Sequence, residues 1–450
     1  MTLAFSKDDL AEATKLLQDL VRIDTTNPPG NEGKASEFLK SVFDKERIEC
    51  EVVGPKERES FIARLPGKTG KPRLLLLSHT DVVPVTDPSR WKYPPFSGTI
   101  EGEWLYGRGS CDDKFDAAVE AMAMILLKRL GVKLNGTLIY AATADEEAGA
   151  QYGCGWLIKS VPDRVKAEYV LNEGGGNPVK LGGKIFYMIG FGEKGVCGFK
   201  LKAKGKAGHG SIPTLADNAN LKMAEAFIKL SRFRPDIVIL PEVKEALIEY
   251  GRALMGDQGE RIVREMATPE KIDTLLGQVA SMEREMAETA RALTRMTISP
   301  NVIRGGNKVN VIPDICEAEV DTRVLPGQDE KYAVNVIQKA IEGTGVEIES
   351  TRYKASSASP MKTPFIDTLS QILKRHAGEV TIVSQLNTGM TDSLFFRQLG
   401  AEAYGFIPTA PTQDFKEILP GVHGNNEKID IPSIEFATKY LLDVTQEVLK

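Results

Sequence analysis

Apolar residues recur at helical spacing near the start of the chain. Residues 7–23 and 33–47 show this periodicity, and the stretch TTNPPGNEG lies between them. A repeat near 3.6 residues is typical of amphipathic helices, whereas clustered Pro, Gly and Asn interrupt them. The pattern therefore predicts two opening helices joined by a turn-rich loop.

Short apolar runs with β character follow these helices. They cover residues 73–77, 137–142 and 168–171, and residues 115–130 have the composition of a helix that packs on a sheet. Strands that alternate with helices in this way are typical of α/β domains. We expect a mostly parallel central sheet in this part of the chain.

The pattern changes after Glu173, where Gly-rich segments and alternating strands replace the long apolar runs. Residues 197–204 and 310–324 are predicted strands of a second, α+β domain. Residues 241–296 are charged and amphipathic, which predicts a solvated helical hairpin. Because residues 360–450 return to helix and strand alternation, we expect the second domain to be inserted into the first. The predicted bounds are 1–192 and 355–450 for the first domain and 193–354 for the second.

Composition narrows the classes of function. The 450 residues are 42% hydrophobic and 26% charged, which is typical of a globular protein of about two domains. The net charge of −5 and the absence of a basic stripe argue against nucleic acid as a partner. No stretch approaches the roughly 18 apolar residues that span a bilayer. We therefore expect a cytoplasmic enzyme without a membrane partner.

The five cysteines are scattered along the chain and form no C-x-x-C pair. This arrangement favours neither a disulfide framework nor a thiolate metal site. Most of the cysteines are expected to be small, buried hydrophobic residues.

Candidate ligands follow three of the predicted strands. His79 and Asp81 come after LLLLS, Glu146 and Glu147 come after TLIYAAT, and Glu173 comes after EYVLN. Ligands of open α/β sheets bind beyond the carboxyl ends of the strands. We expect these side chains to meet at one edge of the sheet.

His79 lies in HTDVVP, where an aspartate two residues later is suited to hold the second ring nitrogen of a metal-bound imidazole. The alternative for His79 is a surface histidine with no such role. His376, in LKRHAG, has no comparable neighbours and is predicted to be solvated.

Two acidic segments are candidates for metal chemistry. In the triplet at 145–147, one glutamate can ligate a cation while its neighbour accepts a proton, although acidic residues also cluster at helix starts. Asp112, in YGRGSCDDK, can bridge two cations because a carboxylate has two oxygens. The alternative is a helix N-cap before Phe115, a role that suits Asp113.

Five motifs together resemble a known family of co-catalytic zinc hydrolases. They are HTDVVP, YGRGSCDDK, ADEEAG, LNEGG and GVHGNNE, in this order and spacing. The family includes aminoacylase, acetylornithine deacetylase, succinyl-diaminopimelate desuccinylase, glutamate carboxypeptidase and carnosine dipeptidases. The resemblance covers nearly the whole chain. It implies an α/β catalytic domain with an inserted α+β lid and dimerisation domain.

The resemblance implies a role for each matching residue. Asp112 would bridge two zinc ions, Asp81 would orient His79, and Glu146 would act as the general base. The ions would be Zn²⁺, two per subunit, although ligands of this type also suit Co²⁺ or Mn²⁺. The implied metal ligands are His79, Asp112, Glu147, Glu173 and His423.

The resemblance extends to the lid. His209 in AGHGSIP, Asn310 in NKVNVIP, Arg323 in VDTRVLPG and Gly389 in NTGMTDSLFF match segments that contact substrate in the family. It also implies a homodimer formed through the lid. For Asn310 and Arg323 the alternatives are a turn contact and an exposed ion pair.

The expected reaction is metal-dependent hydrolysis of an amide bond next to a free carboxylate. An N-acyl-amino-acid deacylase is the first choice, and a metallo-carboxypeptidase or dipeptidase acting on short peptides is the alternative. A non-catalytic binding protein that kept the fold is a third possibility. GFGEKG, at residues 190–195, matches a dinucleotide fingerprint, but the segment after it is predicted to be a strand rather than the required helix.

Overall fold

The computed structural model describes residues 5–281 and 283–450. Its helices are α1 (Lys7–Arg22), α2 (Gly33–Lys45), α3 (Lys114–Arg129), α4 (Cys154–Ser160), α5 (Pro162–Val165), α6 (Ala219–Arg232), α7 (Pro241–Met266), α8 (Ile272–Ala280), α9 (Arg284–Leu293), α10 (Glu330–Ala340), α11 (Pro364–Ala377), α12 (Ser393–Gln398), α13 (Phe415–Ile418) and α14 (Ile431–Val448).

The strands are β1 (Glu49–Val53), β2 (Ser60–Leu65), β3 (Arg73–His79), β4 (Thr99–Glu101), β5 (Trp104–Tyr106), β6 (Thr137–Thr143), β7 (Tyr169–Asn172), β8 (Pro178–Leu181), β9 (Lys184–Glu193), β10 (Gly195–Lys204), β11 (Gly208–His209), β12 (Thr297–Gly305), β13 (Val311–Ile312), β14 (Ile315–Val324), β15 (Glu347–Lys354), β16 (Ser357–Ala358), β17 (Thr381–Asn387), β18 (Glu402–Gly405) and β19 (Lys428–Asp430).

The chain divides into two units, and the second interrupts the first. The first unit comprises the described residues up to Phe191, together with Ser359–Gln385 and Thr391–Lys450. The second comprises Gly192–Ala358 and Leu386–Met390. The fold class expected from the sequence, an α/β protein with an inserted α+β part, is confirmed.

A mixed sheet forms the centre of the first unit. Its strands lie in the order β1-β2-β6-β3-β7-β18-β9, and β8 and β17 also pair with β9. The central pairs β6–β3, β3–β7 and β7–β18 are parallel, whereas β1–β2, β2–β6 and β18–β9 are antiparallel. The parallel strands carry the predicted ligands at their carboxyl ends.

The sequence of β3 explains its central place. Its leucines at 74–77 are all fully buried, as expected for a strand with helices on both faces. Leu75 and Leu77 pack in a cluster with Cys154 and Leu157 of α4. Helix α3 packs against β3 as well, and it also contacts α1 and α14.

The two helices predicted at the start of the chain are confirmed as α1 and α2. Ser6 and Asp9 form a capping box at the start of α1: Ser6 Oγ accepts from the Asp9 N–H at 3.1 Å, and the Ser6 N–H donates to Asp9 Oδ2 at 2.7 Å. This reciprocal pair satisfies N–H groups that a helix start otherwise leaves without a partner. Buried Leu16, Leu17 and Leu20 then attach α1 to the core.

The second unit is built on an antiparallel sheet in the order β12-β14-β10-β15. In β10, Cys197, Phe199 and Leu201 are buried and alternate with Gly198 and lysines, which is the period of a half-buried strand. Helices α6 and α10 cover the buried face with further apolar side chains.

The predicted strand at 310–324 is interrupted. Pro313 lies between β13 and β14, and it has no N–H to donate to a neighbouring strand. The strand that follows GFGEKG is confirmed as β10, so this motif lacks the helix that a phosphate-binding loop requires.

The segment at 241–296 differs from the predicted solvated hairpin. Its described residues form α7, α8 and α9, and α7 is itself interrupted at Gly256, which has a φ of 59°. These helices enclose their own apolar cluster, which includes Ile248, Ile272 and Leu276. The charged residues of this segment therefore cover a small core rather than a fully solvated hairpin.

The prediction that His376 is solvated is wrong. His376 Nε2 lies 2.9 Å from Asp443 Oδ2, and both side chains are largely buried between α11 and α14. An isolated histidine in the sequence thus serves to join two helices. Among the described residues, no helix is both long and apolar enough to cross a membrane.

Candidate metal centre

Three neighbouring strands deliver the candidate side chains. His79 is the last residue of β3, opposite Thr143 at the end of β6, and Glu173 directly follows β7. Glu146 and Glu147 lie in a 3₁₀ turn just beyond β6. Because these strands run parallel, their carboxyl ends lie at the same edge of the sheet, as predicted.

His79 is buried and faces two carboxylates. Its Nε2 lies 3.2 Å from Asp112 Oδ1 and 3.8 Å from Glu173 Oε1, without a hydrogen bond of good geometry to any described residue. Its Nδ1 lies 3.0 Å from the backbone carbonyl oxygen of Asp81. In the neutral ring this carbonyl would accept the Nδ1 proton, and the Nε2 lone pair would point towards Asp112 and Glu173.

Asp81 lies next to the Nδ1 side of this ring. Its Oδ1 is 3.4 Å from His79 Nδ1, so the side chain and the backbone of Asp81 both face the same nitrogen. Burial alone would lower the pKa of His79, but the carboxylates of Asp112 and Asp81 raise it well above the ordinary value. The ring is therefore held in an anionic environment.

A second group forms on the other side of Asp112. His423 Nε2 lies 3.1 Å from Asp112 Oδ2 and 3.2 Å from Glu147 Oε1. His423 has a φ of 56°, and 55% of its side chain is exposed. Hydrogen bonds to Asp112 and Glu147 raise the pKa of His423 to about 10. Asp112 thus directs one oxygen at each histidine.

The five predicted ligands are therefore brought together in two groups that share Asp112. In each group the candidate ligand atoms lie within 4.8 Å of one another. Imidazole nitrogens and carboxylate oxygens are a donor set that suits Zn²⁺ and several other divalent cations. The groups are His79, Asp112 and Glu173, and Asp112, Glu147 and His423.

The electrostatics of the centre also fit a cation. Burial, with the charges of Asp112 and Glu147 nearby, raises the pKa of Glu173 well above its ordinary value. Burial has the same effect on Glu146, and Glu173 adds to it. Carboxyl groups this close cannot all ionise without compensating positive charge. Bound cations would supply that charge.

The turn after β6 fixes the direction of Glu146 and Glu147. Asp145 has a φ of 68° in the left-handed region, and the two following N–H groups donate to Asp81: Glu146 to Oδ1 at 3.1 Å and Glu147 to Oδ2 at 3.2 Å. Asp81 therefore supports His79 and both glutamates at once.

The helix-capping role expected for Asp113 is not found. Asp113 occupies the N-cap position of α3, but its side chain makes no capping hydrogen bond. Its Oδ2 instead accepts from the backbone N–H of His79 at 3.0 Å. The side chain thus ties the start of α3 to the end of β3, where it supports His79.

Several supporting residues were not identified from the sequence. Glu427 accepts from the backbone of the loop that carries Asp112, and Asn27, Glu32 and Arg58 contact Asp145. Glu427 is the last residue of the motif GVHGNNE. Asn27 and Glu32 lie in TTNPPGNEG, which was predicted to be a loop. Their partners are distant in sequence, so no local pattern pointed to these roles.

The predicted substrate-binding residues lie in the second unit. His209 pairs with Val311 in the β11–β13 ribbon, and the carbonyl oxygen of Asn310 accepts from the Gly210 N–H at 2.9 Å. His209 Nδ1 is 2.8 Å from Ser211 Oγ. The structure thus places His209 and Asn310 in one local region.

Arg323 and Gly389 belong to segments of the sequence outside the β11–β13 ribbon. Arg323 is in β14 and its Nε donates to Asp321 Oδ2 at 2.9 Å, which is the ion pair considered as an alternative. Gly389 lies in the short segment Leu386–Met390 of the second unit. Substrate contact by these residues stays a prediction.

Residues 75–447 match the model of peptidase family M20/M25/M40. The chain belongs to this family. A protein of Staphylococcus aureus (strain MRSA252) named "Probable succinyl-diaminopimelate desuccinylase" is 28% identical to this M20 chain over 392 residues, covering 86% of both chains. The "N-fatty-acyl-amino acid synthase/hydrolase PM20D1" of Homo sapiens is 25% identical over 470 residues, covering 98% of this chain and 89% of its own.

The fold of this M20 protein is also found in solved structures. An M20 family metallo-carboxypeptidase, Sso-CP2 from Sulfolobus solfataricus, superposes with a TM-score of 0.72 and 21% sequence identity. The match covers 97% of this chain and 98% of the other. At this level of identity the likeness shows the fold alone.

Proposed function

We propose that this M20 protein hydrolyses the amide bond of N-acyl amino acids with the help of two zinc ions per subunit. The observation that carries the proposal is the shared position of Asp112, whose Oδ1 faces His79 and whose Oδ2 faces His423. A carboxylate with one oxygen in each of two ligand groups is suited to bridge a pair of cations.

His79 and Glu173 would complete the first metal site, and Glu147 and His423 would complete the second. Bound zinc would polarise the amide carbonyl and lower the pKa of a water molecule. Asp81 would hold the His79 ring by its Nδ1 side, which keeps the other nitrogen directed at the metal.

Glu146 would act as the general base. Its backbone N–H is held by Asp81 next to Glu147, so its carboxylate lies beside the candidate ligands, where a general base would act. Glu146 would take one proton from the attacking water and would donate it to the amine nitrogen as the C–N bond breaks. The products would be a carboxylic acid and a free amino acid.

The proposed substrate class rests on the free carboxylate beside the scissile bond. A guanidinium group is suited to hold a carboxylate through two parallel hydrogen bonds, and Arg323 is the candidate for this contact. Its Nε is already oriented by Asp321. His209, Asn310 and Gly389 would provide the other lid contacts. The names of two relatives describe N-acyl substrates, which favours a deacylase over a peptidase.

A homodimer formed through the second unit is part of this proposal. Helix α6 leaves Leu221 and Ile228 exposed, seven residues apart, so that both lie on one face of the helix. Exposed apolar side chains grouped on one face favour association with another copy of the chain.

The first experiment measures metal content and substrate preference together. We expect about two divalent ions per chain, and activity that chelation abolishes and Zn²⁺, Co²⁺ or Mn²⁺ restores. The substrate panel contains N-acetyl, N-succinyl and long-chain N-acyl amino acids beside dipeptides. Preference for dipeptides would replace the deacylase by a peptidase, and activity that survives complete chelation would contradict metal catalysis.

The second experiment tests Glu146. In the Glu146→Gln variant the two metals should remain, while kcat should fall by about 10² to 10⁴. Glu51→Gln is the matched control, since Glu51 pairs with Arg164 at 3.2 Å on the surface of the same unit. Unchanged kcat in Glu146→Gln would remove it as the base. Binding of N-acyl amino acids without turnover by the wild type would instead favour a binding protein.

A further inference from the structure

The turn that carries Glu146 and Glu147 depends on an unusual backbone conformation. Asp145 adopts φ 68° and ψ 16°, a left-handed conformation that residues other than glycine seldom occupy. This conformation directs the following two N–H groups at Asp81. Whatever holds Asp145 in place therefore also sets the direction of both glutamates.

Asp145 is held by its side chain and its backbone. Its Oδ1 accepts from Arg58 Nη2 at 2.6 Å and from Asn27 Nδ2 at 3.1 Å, and its Oδ2 accepts from the Tyr152 N–H at 2.9 Å. Its backbone N–H donates to Glu32 Oε1 at 3.2 Å. These partners come from three separate segments of the chain.

Arg58 links these partners to one another. It donates to Glu32 through Nε to Oε2 at 2.7 Å and through Nη2 to Oε1 at 2.9 Å, while Nη2 also reaches Asp145. Its guanidinium lies 4.9 Å from the centre of the Tyr152 ring. A planar group with donors in a fixed fork can hold two carboxylates in one geometry, whereas a lysine ammonium cannot.

The charge of Arg58 matters as much as its shape. Glu32 is fully buried and Asp145 is nearly so. Asn27 joins Asp145 to a third buried carboxylate, because its Nδ2 donates to Asp145 Oδ1 at 3.1 Å and to Asp81 Oδ2 at 2.8 Å. Arg58 Nη2 donates to the carboxylates of both Glu32 and Asp145. Without Arg58, these two buried carboxylates would lose the positive charge between them. Repulsion between them would displace Asp145 and the turn that follows it.

We propose that Arg58 is a positioning residue for the hydrolysis proposed above: by clamping Glu32 to Asp145, it holds Glu146 and Glu147 in their working directions. The hydrogen bonds of Arg58 go to Glu32 and Asp145, so its effect on Glu146 and Glu147 would pass through the position of Asp145. The inference rests on the proposed function, because it assumes that Glu146 is the base and that Glu147 is a ligand.

The test compares Arg58→Ala and Arg58→Lys with the wild type. We expect kcat to fall by about 10- to 100-fold in both variants, as for other residues that orient metal-site groups, while KM changes little. Arg58 has 14% of its side chain exposed, so a small cation can reach the space left by Arg58→Ala. Guanidinium ion at low millimolar concentration should restore part of kcat in Arg58→Ala and none in Arg58→Lys, where the lysine side chain fills the space.

Arg129→Ala is the matched control. Arg129 also bridges two carboxylates, Glu12 and Glu46, but on the surface of the same unit and without contact to the candidate site. We expect its kcat to be unchanged and insensitive to guanidinium.

The outcomes separate the two proposals. If wild-type protein shows no metal-dependent hydrolysis, the proposed function fails, whatever Arg58 does. If the wild type is active, then full kcat in Arg58→Lys, a change confined to KM, or no rescue of folded Arg58→Ala would overturn the inference. Loss of folding in both variants, measured by circular dichroism, would make Arg58 a purely structural residue and would overturn it as well.

Discussion

The backbone N–H of Asp112 donates to Glu427 Oε1 at 2.9 Å. The same oxygen accepts from the Cys111 N–H at 2.8 Å, and Oε2 accepts from the Gly109 N–H at 3.0 Å and from Arg108 Nη1 at 2.6 Å. Glu427 is fully buried. One carboxylate thus holds the loop that presents the shared ligand of the candidate centre.

Glu427 also lies four residues after His423, so it links the loop of the shared ligand to the loop of the exposed histidine. In Glu427→Gln one acceptor oxygen becomes an amide NH₂, which cannot accept from the N–H groups that the carboxylate holds. We expect metal affinity to weaken by about 10- to 100-fold. Elemental analysis after dialysis at graded metal concentrations measures this directly.

Glu417→Gln is the control for this change. Glu417 is exposed in α13, in the same part of the chain, and its replacement should leave metal affinity as it is. Equal metal affinity in Glu427→Gln and the wild type would show that the loop holds its shape without the carboxylate.

Lys194 provides a prediction about stability and pH. It is fully buried, and its Nζ donates to the carbonyl oxygens of Ala292 at 2.8 Å and Arg295 at 2.9 Å, near the end of α9. Burial, with the charge of Arg323 nearby, lowers the pKa of Lys194 to about 7, and Asp321 opposes this only in part. The unfolded chain therefore binds the proton more tightly than the folded one.

Between about pH 7 and about pH 10, the unfolded state holds more protons at this site, so the Lys194 contribution to the free energy of unfolding should rise with pH. The slope is at most about 1.4 kcal/mol per pH unit. Urea unfolding of the wild type and of Lys194→Met, at several pH values, isolates this contribution as a difference. We expect the free energy of unfolding of the wild type to rise relative to that of Lys194→Met as the pH rises from about 7 to about 10.

Lys206→Met serves as the control, because Lys206 is an exposed lysine of the same unit. Its difference from the wild type should not vary with pH over this range. A flat difference for Lys194→Met as well would mean that the buried amine keeps its ordinary proton affinity.

The strand ends that carry the candidate ligands could be predicted from the sequence, because each follows a short apolar run. The apolar run of β3 followed by His79, and the similar runs before Glu146 and Glu173, located three strand ends without any knowledge of the fold. Parallel strands place their carboxyl ends at one edge, so the grouping of these side chains followed from topology. His423 was reached only through the resemblance of GVHGNNE to a family motif.

The supports behind the site were not predictable in this way. Arg58 lies in the connection between β1 and β2, and its partner Asp145 is 87 positions later, so no local spacing relates them. Asp113 shows a second cause. An aspartate before a helix is a good cap by propensity, yet its side chain accepts from the buried backbone N–H of His79 instead. Tertiary contacts decided both cases.

The pair of His376 and Asp443 leads to a prediction about folding. The 2.9 Å contact joins α11 to α14, and both side chains are largely buried. His376→Ala or Asp443→Ala alone should each lower the free energy of unfolding by about 1 to 3 kcal/mol, because each leaves a buried polar partner unsatisfied. In the double variant the two losses should not add. Additive losses in a double-mutant cycle would mean that the contact contributes nothing of its own.

The last prediction concerns association through α6. Leu221 is 70% exposed and Ile228 is 51% exposed on the same face of this helix, although both are apolar. Placing a charge there should oppose burial of the face against a second copy, so Leu221→Glu should be monomeric at concentrations where the wild type is a dimer. Sedimentation velocity at several protein concentrations measures this. Leu254→Glu, at a 38% exposed leucine of α7, is the matched control and should leave the wild-type state unchanged. A monomeric wild type, or a dimer that survives Leu221→Glu, would exclude this face as the interface.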